Sequence, residues 1–360
     1  MSAEKIPIAN IYYLLCYALG HIQETHYAQV RTENCDRVID LLAKVLSRST
    51  QQLVKRGLHR DYLLERERRI APRGKILPGE DLRRPLITSL ARTCEFDELS
   101  ANILPNRIIL STLKLMENCP DLGPDLRCEI REIAGFFTSV APMRIESRVF
   151  RSLHVHRNMR HYRFVLDICE FVHAQLLPAS GAGSAHFRDF RRDEARMGAL
   201  FEQFVFNFYA KELSTHRVSA PHIPWDLDPD RSTTGGLQLL PRMMTDICLE
   251  APGDRAIIDC KFYSEAFQWN FNRAKFISTN LYQLFTYIKN QAKKPGWENV
   301  RGMLLYPVTG APFDETVHLH SHSIRVVAID LGQSWREISR DLLAIAGGDL
   351  RLGRSDGSPP

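Results

Sequence analysis

Two short apolar runs, residues 239–249 and 255–263, flank Pro252-Gly253, and this arrangement constrains the fold of the 360-residue chain more than any other feature. Runs of this length bounded by turn residues read as strands, and a Pro-Gly pair suits a chain reversal. With Pro252 and Gly253 as the two central residues of the turn, the strands form a hairpin. Asp246 then stands directly opposite Asp259, with Cβ atoms about 4.5–5.5 Å apart. Side chains alternate along a strand, so Asp259 and Lys261 share one face while Ile258 and Cys260 point the other way, into apolar packing. A slip of one residue would put the two aspartates on opposite faces, so the expectation rests on that turn.

Two carboxylates and an ammonium on one face define a chemistry. Carboxylates are hard oxygen ligands that suit Mg²⁺, with Mn²⁺ as an alternative, and Mg²⁺ keeps several waters and completes its shell with phosphate oxygens. Such an ion offsets charge growing on a phosphorus under attack and lowers the pKa of a bound water; a neighbouring lysine orients that water or stabilises the developing charge. Asp246, Asp259 and Lys261 are therefore the candidate catalytic set, with the two aspartates as metal ligands. The bare D-x-K pattern is short, and a solvent-facing strand would also produce it.

Further residues converge on the same region. Residues 272–291 read as a helix in which Gln283 and Tyr287 lie one turn apart on one side, while Leu281, Leu284, Phe285 and Ile288 form a separate apolar stripe. Asn280, Gln283 and Tyr287 line an adjacent edge, where their amides and hydroxyl either brace the site, touch DNA, or serve only as buried structural groups. Ahead of the hairpin, residues 193–213 read as a long helix carrying Leu200, Phe201, Phe204, Val205 and Phe208 on one side. Glu202, in that helix, is a candidate third metal ligand or an ordinary exposed glutamate.

The chain is long enough for two cores. Residues 1–180 read mainly as helices, beginning with Ile8, Ile11, Tyr12, Leu15 and Leu19 after a helix-starting Pro7, and continuing near 36–53, 99–117, 125–138 and 158–177. The exception is an excursion over about 55–84, where Arg56, Arg60, Arg66, Arg68, Arg69, Arg73, Lys75 and Arg83 mix with Gly57, Pro72, Gly74, Pro78 and Gly79. This reads as strand and turn, either a partner- or DNA-facing projection or a solvated basic loop. The small flexible segment 178–184 marks a domain boundary, residues 185–346 form the second domain, and 347–360 read as a flexible tail. The expected second domain runs α, β, β, α, β, β, with strands near 302–307 and 324–331: a mixed central sheet flanked by helices, giving an α+β or α/β fold overall.

Composition excludes several classes. Hydrophobic residues make up 44% and charged residues 25%, with a formal net charge of +5, as in soluble globular chains with a mild bias toward polyanions. No signal peptide or membrane span is visible, and the eight scattered cysteines form no CxxC pair, so a reduced, cytoplasmic protein is expected. There is no P-loop, so nucleotide hydrolysis by that device is not expected of this chain. His318, His320 and His322 would share a face in a strand, but a polar edge is the simpler reading. His154, His156 and His161 lie among Arg151, Arg157, Arg160 and Arg163 and read equally as a basic surface facing DNA or as a solvated helix start.

The order Asp246, Asp259-x-Lys261, Gln283-x-x-x-Tyr287 resembles the core of PD-(D/E)xK nucleases with the QxxxY element of RecB-like members. Ile6-Pro-Ile-Ala-Asn-Ile-Tyr-Tyr13, Leu99-Ser-Ala-Asn-Ile-Leu-Pro-Asn-Arg107, Leu240-Pro-Arg-Met-Met-Thr-Asp246, Asn280-Leu-Tyr-Gln283 and Leu331-Gly-Gln-Ser-Trp335 are all similar to the McrC family, across nearly the whole chain. The resemblance implies a partner-binding N-terminal domain that docks on a McrB-like AAA+ GTPase ring, and a C-terminal PD-(D/E)xK endonuclease acting on double-stranded DNA with modified cytosine. GTP would be used by the partner, not by this chain. It also implies Asp246 and Asp259 as metal ligands, Lys261 as the catalytic lysine, Gln283 and Tyr287 as the supporting pair, and Glu202 as a less secure ligand. A non-catalytic adapter of an AAA+ partner and a stand-alone repair nuclease are the alternatives.

Overall fold

The computed structural model describes residues 3–28, 32, 35–81, 91–178, 185–228, 230–262, 267–270 and 273–347. Residues 179–184 of the expected linker 178–184, the tail beyond Gly347, and Arg83 lie outside the described residues. The elements used below are α1 (Ile8–Ala18), α2 (Val38–Arg56), β1 (Asp61–Arg69), β2 (Lys75–Ile76), β3 (Arg92–Ser100), α3 (Leu104–Glu117), α4 (Pro124–Ala134), α5 (Arg163–Gln175), α6 (Glu194–Glu212), β4 (Arg217–Ser219), β5 (Ile247–Ala251), β6 (Asp254–Cys260), α7 (Ser278–Gln291), β7 (Arg301–Val308), β8 (Asp314–Leu319), β9 (His322–Asp330) and α8 (Trp335–Gly347).

The chain divides into two compact units, Cys35–Arg188 and a second made of Met1–Asn34 with Asp189–Pro360. The second boundary falls near the expected linker, but the expected 1–180 domain does not keep its first helix. Sequence patterning assigned α1 to its nearest neighbours, whereas its burial is long-range. Ile11, Leu14 and Leu15 are buried, Tyr17 packs against Phe204 and Phe208 of α6, and Tyr13 stacks on Trp335 with ring centroids 4.3 Å apart. Asn10 Nδ2 donates to the carbonyls of Leu331 (2.8 Å) and Gln333 (2.9 Å).

In the unit Cys35–Arg188, α2 to α5 are helices as expected, and the basic excursion is a three-stranded sheet ordered β1-β3-β2. The expected helix near 99–117 begins only at Leu104, because the residues before it pair as β3 with β1. The strand-and-turn reading holds, and the sheet neutralises its own charge. Arg66 pairs with Glu95 at 2.6 Å and Arg73 with Glu98 at 2.6 Å.

The other unit is built on a six-stranded sheet ordered β8-β9-β7-β6-β5-β4. Strands β6, β7 and β9 run parallel, while β5 and β8 are antiparallel to their neighbours, giving the mixed sheet expected. Helix α7 is the crossover between parallel β6 and β7, and its Leu284, Tyr287 and Ile288 share a core with Cys248, Ile257, Leu304 and Tyr306. The close approach depends on Gly302: a Cβ there would collide with Ile288 Cδ1 and come within 3.2 Å of Leu284. Helix α7 starts at Ser278, later than the expected 272, because a hairpin of 267–270 with 273–276 precedes it.

Candidate active site

The hairpin forms in the expected register. Gly253 takes the positive φ of 79° that a Pro-Gly type II turn requires, and Asp254↔Ala251 through Ile258↔Ile247 are paired. That ladder stops one step short of Asp246 and Asp259. The expected continuous strand over 239–249 breaks there: Met243–Met244 pairs with His222–Ile223, Thr245 Oγ1 donates to the Pro221 carbonyl at 3.0 Å, and β5 begins only at Ile247. Asp246 sits at the bend, and its Oδ2 accepts the Cys260 N–H at 2.8 Å. On the other side of β6, the Lys261 N–H bonds the Leu305 carbonyl at 2.9 Å. The end of β6 that carries Asp259, with Lys261 just beyond it, is thereby fixed from both sides.

Asp259 is 1% exposed. The Lys261 ammonium pairs with Asp259 Oδ2 at 2.8 Å, and no neutral donor among the described residues reaches either carboxylate oxygen. Burial pushes the Asp259 carboxyl up to about 6; Lys261 pulls it back, and the nearby Asp246 and Glu202 charges add to the rise. Burial also raises Asp246, against the pull of the Cys260 N–H and of Lys261. Glu202, which reaches the surface of α6 from a partly desolvated position, is raised first by that desolvation and then by the Asp246 charge. The three acids therefore feel one another, although among the described residues no three His, Cys, Asp or Glu side chains close into a complete metal-ligand group.

Helix α7 completes the arrangement. Gln283 Oε1 accepts from Lys261 Nζ at 3.1 Å, and Gln283 Nε2 donates to the Tyr287 hydroxyl at 2.8 Å. The spacing of one helical turn that singled out Gln283 and Tyr287 thus becomes a chain of contacts, Tyr287 to Gln283 to Lys261 to Asp259. Asn280 does not line that edge. It is 3% exposed and donates to the Tyr306 hydroxyl of β7 at 3.0 Å, a brace between helix and sheet. Sequence reasoning missed Tyr306, whose signal was a lone hydroxyl inside an apolar run.

The histidines of 318–322 do not converge. His322 is buried with Nδ1 3.3 Å from the Val300 carbonyl, while His320 turns to φ 54° and stacks on Phe285. No helix among the described residues is long and apolar enough to cross a membrane.

Comparison with known proteins adds to this geometry. Residues 8–307 match the family model described as McrBC 5-methylcytosine restriction system component. The chain is 31% identical over 345 residues to the Escherichia coli K12 protein described as type IV methyl-directed restriction enzyme EcoKMcrBC, covering 96% of this chain and 98% of that one. A similar fold occurs in a solved half-complex of Thermococcus gammatolerans McrB AAA+ hexamers with bound McrC, at a TM-score of 0.60 and 16% identity over 96% of this chain and 76% of the other.

Proposed function

Because the chain belongs to the McrBC 5-methylcytosine restriction system component family, we propose that it is the Mg²⁺-dependent DNA endonuclease subunit of a modified-cytosine-dependent restriction system, working with an AAA+ GTPase partner. The observation that carries the reading is the Lys261 ammonium held between buried Asp259 and Gln283, with Asp246 at the facing bend. A carboxylate buried against Lys261 and still pushed up to about 6 is costly for folding. A divalent cation would relieve that cost.

Asp246 and Asp259 fit such an ion as its two protein ligands, with Glu202 a third from α6. Two carboxylates with room for waters and phosphate oxygens is the habit of Mg²⁺, with Mn²⁺ a substitute. When bound, the ion supplies charge neutralisation on the scissile phosphate and a more acidic water. Lys261 holds the attacking water or the non-bridging phosphate oxygen with its ammonium. Gln283 fixes the direction of that ammonium through its carbonyl and is itself fixed by the Tyr287 hydroxyl, so both are positioning residues.

The test is cleavage of modified and unmodified plasmid by this chain with its AAA+ partner, Mg²⁺ and GTP, comparing wild type with Asp259→Ala. Cutting that requires the modification and disappears in the variant supports the assignment. If both proteins stimulate nucleotide hydrolysis by the partner and neither cuts, the chain is an adapter and the assignment fails.

A further inference from the structure

Of the two basic stretches visible in the sequence, the sheet β1-β3-β2 carries arginines paired to its own glutamates, whereas among the described residues the second stretch has a single such pair. Residues 144–163 contain six arginines against one carboxylate, Glu146, and that glutamate pairs with Arg148 at 2.9 Å. Arg157, Arg160 and Arg163 are exposed, as are Arg56 and Arg60 at the end of α2 and just after it. Among the described residues no ion pair joins any of these five to a carboxylate.

The two segments form one surface. Tyr162 is fully buried; its hydroxyl accepts from the His59 N–H at 2.8 Å and donates to Asn106 Oδ1 at 2.9 Å. Asn106, also fully buried, donates in turn to the carbonyls of His59 at 2.9 Å and Ala101 at 2.8 Å. This clasp ties the loop Gly57–Arg60 to the turn Arg157–Tyr162. Arg56 and His59 come close enough to help burial depress the pKa of His161, so the arginines of α2 and of the turn share one neighbourhood.

Folding stability does not explain this placement. Helix α5 opens at Arg163 with no acidic residue in its first turn, and cations there oppose the helix dipole. Uncompensated arginines that repel one another, held by a buried polar clasp, make a preorganised polyanion surface, and the planar guanidinium is the side chain suited to phosphate oxygens. We infer that Arg56, Arg60, Arg157, Arg160 and Arg163 bind the phosphate backbone of duplex DNA, at a site in the unit Cys35–Arg188 separate from the residues assigned to cleavage. Such contacts carry no base information and would hold the substrate independently of modification.

The choice of DNA as the polyanion rests on the endonuclease reading, but the test does not depend on cleavage. Fluorescence anisotropy of a labelled unmodified duplex is measured with the full chain in EDTA across a salt series. For Arg56→Gln/Arg60→Gln/Arg157→Gln/Arg160→Gln, affinity near 0.1 M salt is expected to fall at least tenfold. The slope of log K against log salt should become shallower by about 3–4, at about 0.9 for each lost phosphate contact. Arg66→Gln/Arg73→Gln, on the neutralised sheet, should change neither. Tyr162→Phe keeps the packed ring and all the charge but removes the clasp, and should weaken binding with little loss of slope. Equal binding by the four-site variant, or no binding by wild type, overturns the inference. So does a variant that binds DNA normally but no longer assembles with the AAA+ partner, since the surface would then serve an acidic protein.

Discussion

Asp259→Asn should stabilise the protein at neutral pH while abolishing cleavage. Burial raises the Asp259 carboxyl from 3.8 to about 6, and at about 1.4 kcal/mol per unit this disfavours the charged form in the folded state by about 3 kcal/mol. The attraction of Lys261 is already inside that balance. Asparagine mimics the protonated acid in shape and keeps an oxygen toward Lys261 Nζ, and no neutral donor among the described residues bonds the carboxylate oxygens, so the substitution removes only the ion pair with Lys261, which that balance already contains. Desolvating the larger amide offsets part of the gain by about 1–2 kcal/mol, leaving a net stabilisation of about 1–2 kcal/mol, or several degrees in Tm. The sign follows from linkage: a raised acid contributes stability that is full below its unfolded pKa and is lost as pH rises through about 6. The advantage of the variant should therefore be present at pH 7.5 and vanish near pH 4. Chemical denaturation of both proteins in EDTA at the two pH values measures it. A variant destabilised at pH 7.5, or a difference equal at both pH values, would mean that the Asp259 charge does not oppose folding.

Other perturbations separate the roles of neighbouring residues. Gln283→Ala leaves Lys261 its ion pair but removes its second anchor, so cleavage should slow by about 10²-fold with the fold intact; Gln283→Glu, which keeps an acceptor, should recover part of the rate in single-turnover assays. Gly302→Ala pushes a methyl into Ile288 and Leu284 and should cost about 1–3 kcal/mol by denaturant titration. Asn106→Ala strands the buried Tyr162 hydroxyl and the His59 and Ala101 carbonyls and should cost about 2–4 kcal/mol; a loss under 0.5 kcal/mol would mean that water replaces the clasp.

What could be read from the sequence followed from local geometry. The Pro252-Gly253 turn fixed the hairpin register, and one helical turn of spacing linked Gln283 with Tyr287. The bend at Asp246 was not legible, because it depends on Thr245 bonding Pro221, a contact that strand patterning does not contain. Nor was the allegiance of α1, whose Asn10 and Tyr13 meet Leu331 and Trp335 more than 300 residues along the chain. The family-like segments at the two ends of the chain are thus two sides of one joint. The role of Asn280 stayed open between a site-facing edge and a buried structural group, because an amide at a helix edge looks the same in sequence whether it meets solvent or a buried tyrosine; its bond to Tyr306 selects the second. The basic stretches were ambiguous for a related reason: whether a cation is neutralised depends on the strand beside it, and only pairing with β3 distinguishes Arg66 and Arg73 from Arg157 and Arg160.

Whether Asp246 and Asp259 together hold the divalent ion is tested, without reference to cleavage, by Mn²⁺ titration followed by electron paramagnetic resonance. The full chain should bind Mn²⁺ in competition with Mg²⁺, more weakly as pH falls below about 6, where Asp259 takes up its proton. Asp246→Ala and Asp259→Ala should each lose that binding. Mn²⁺ bound as tightly by both variants as by wild type would place the ion elsewhere.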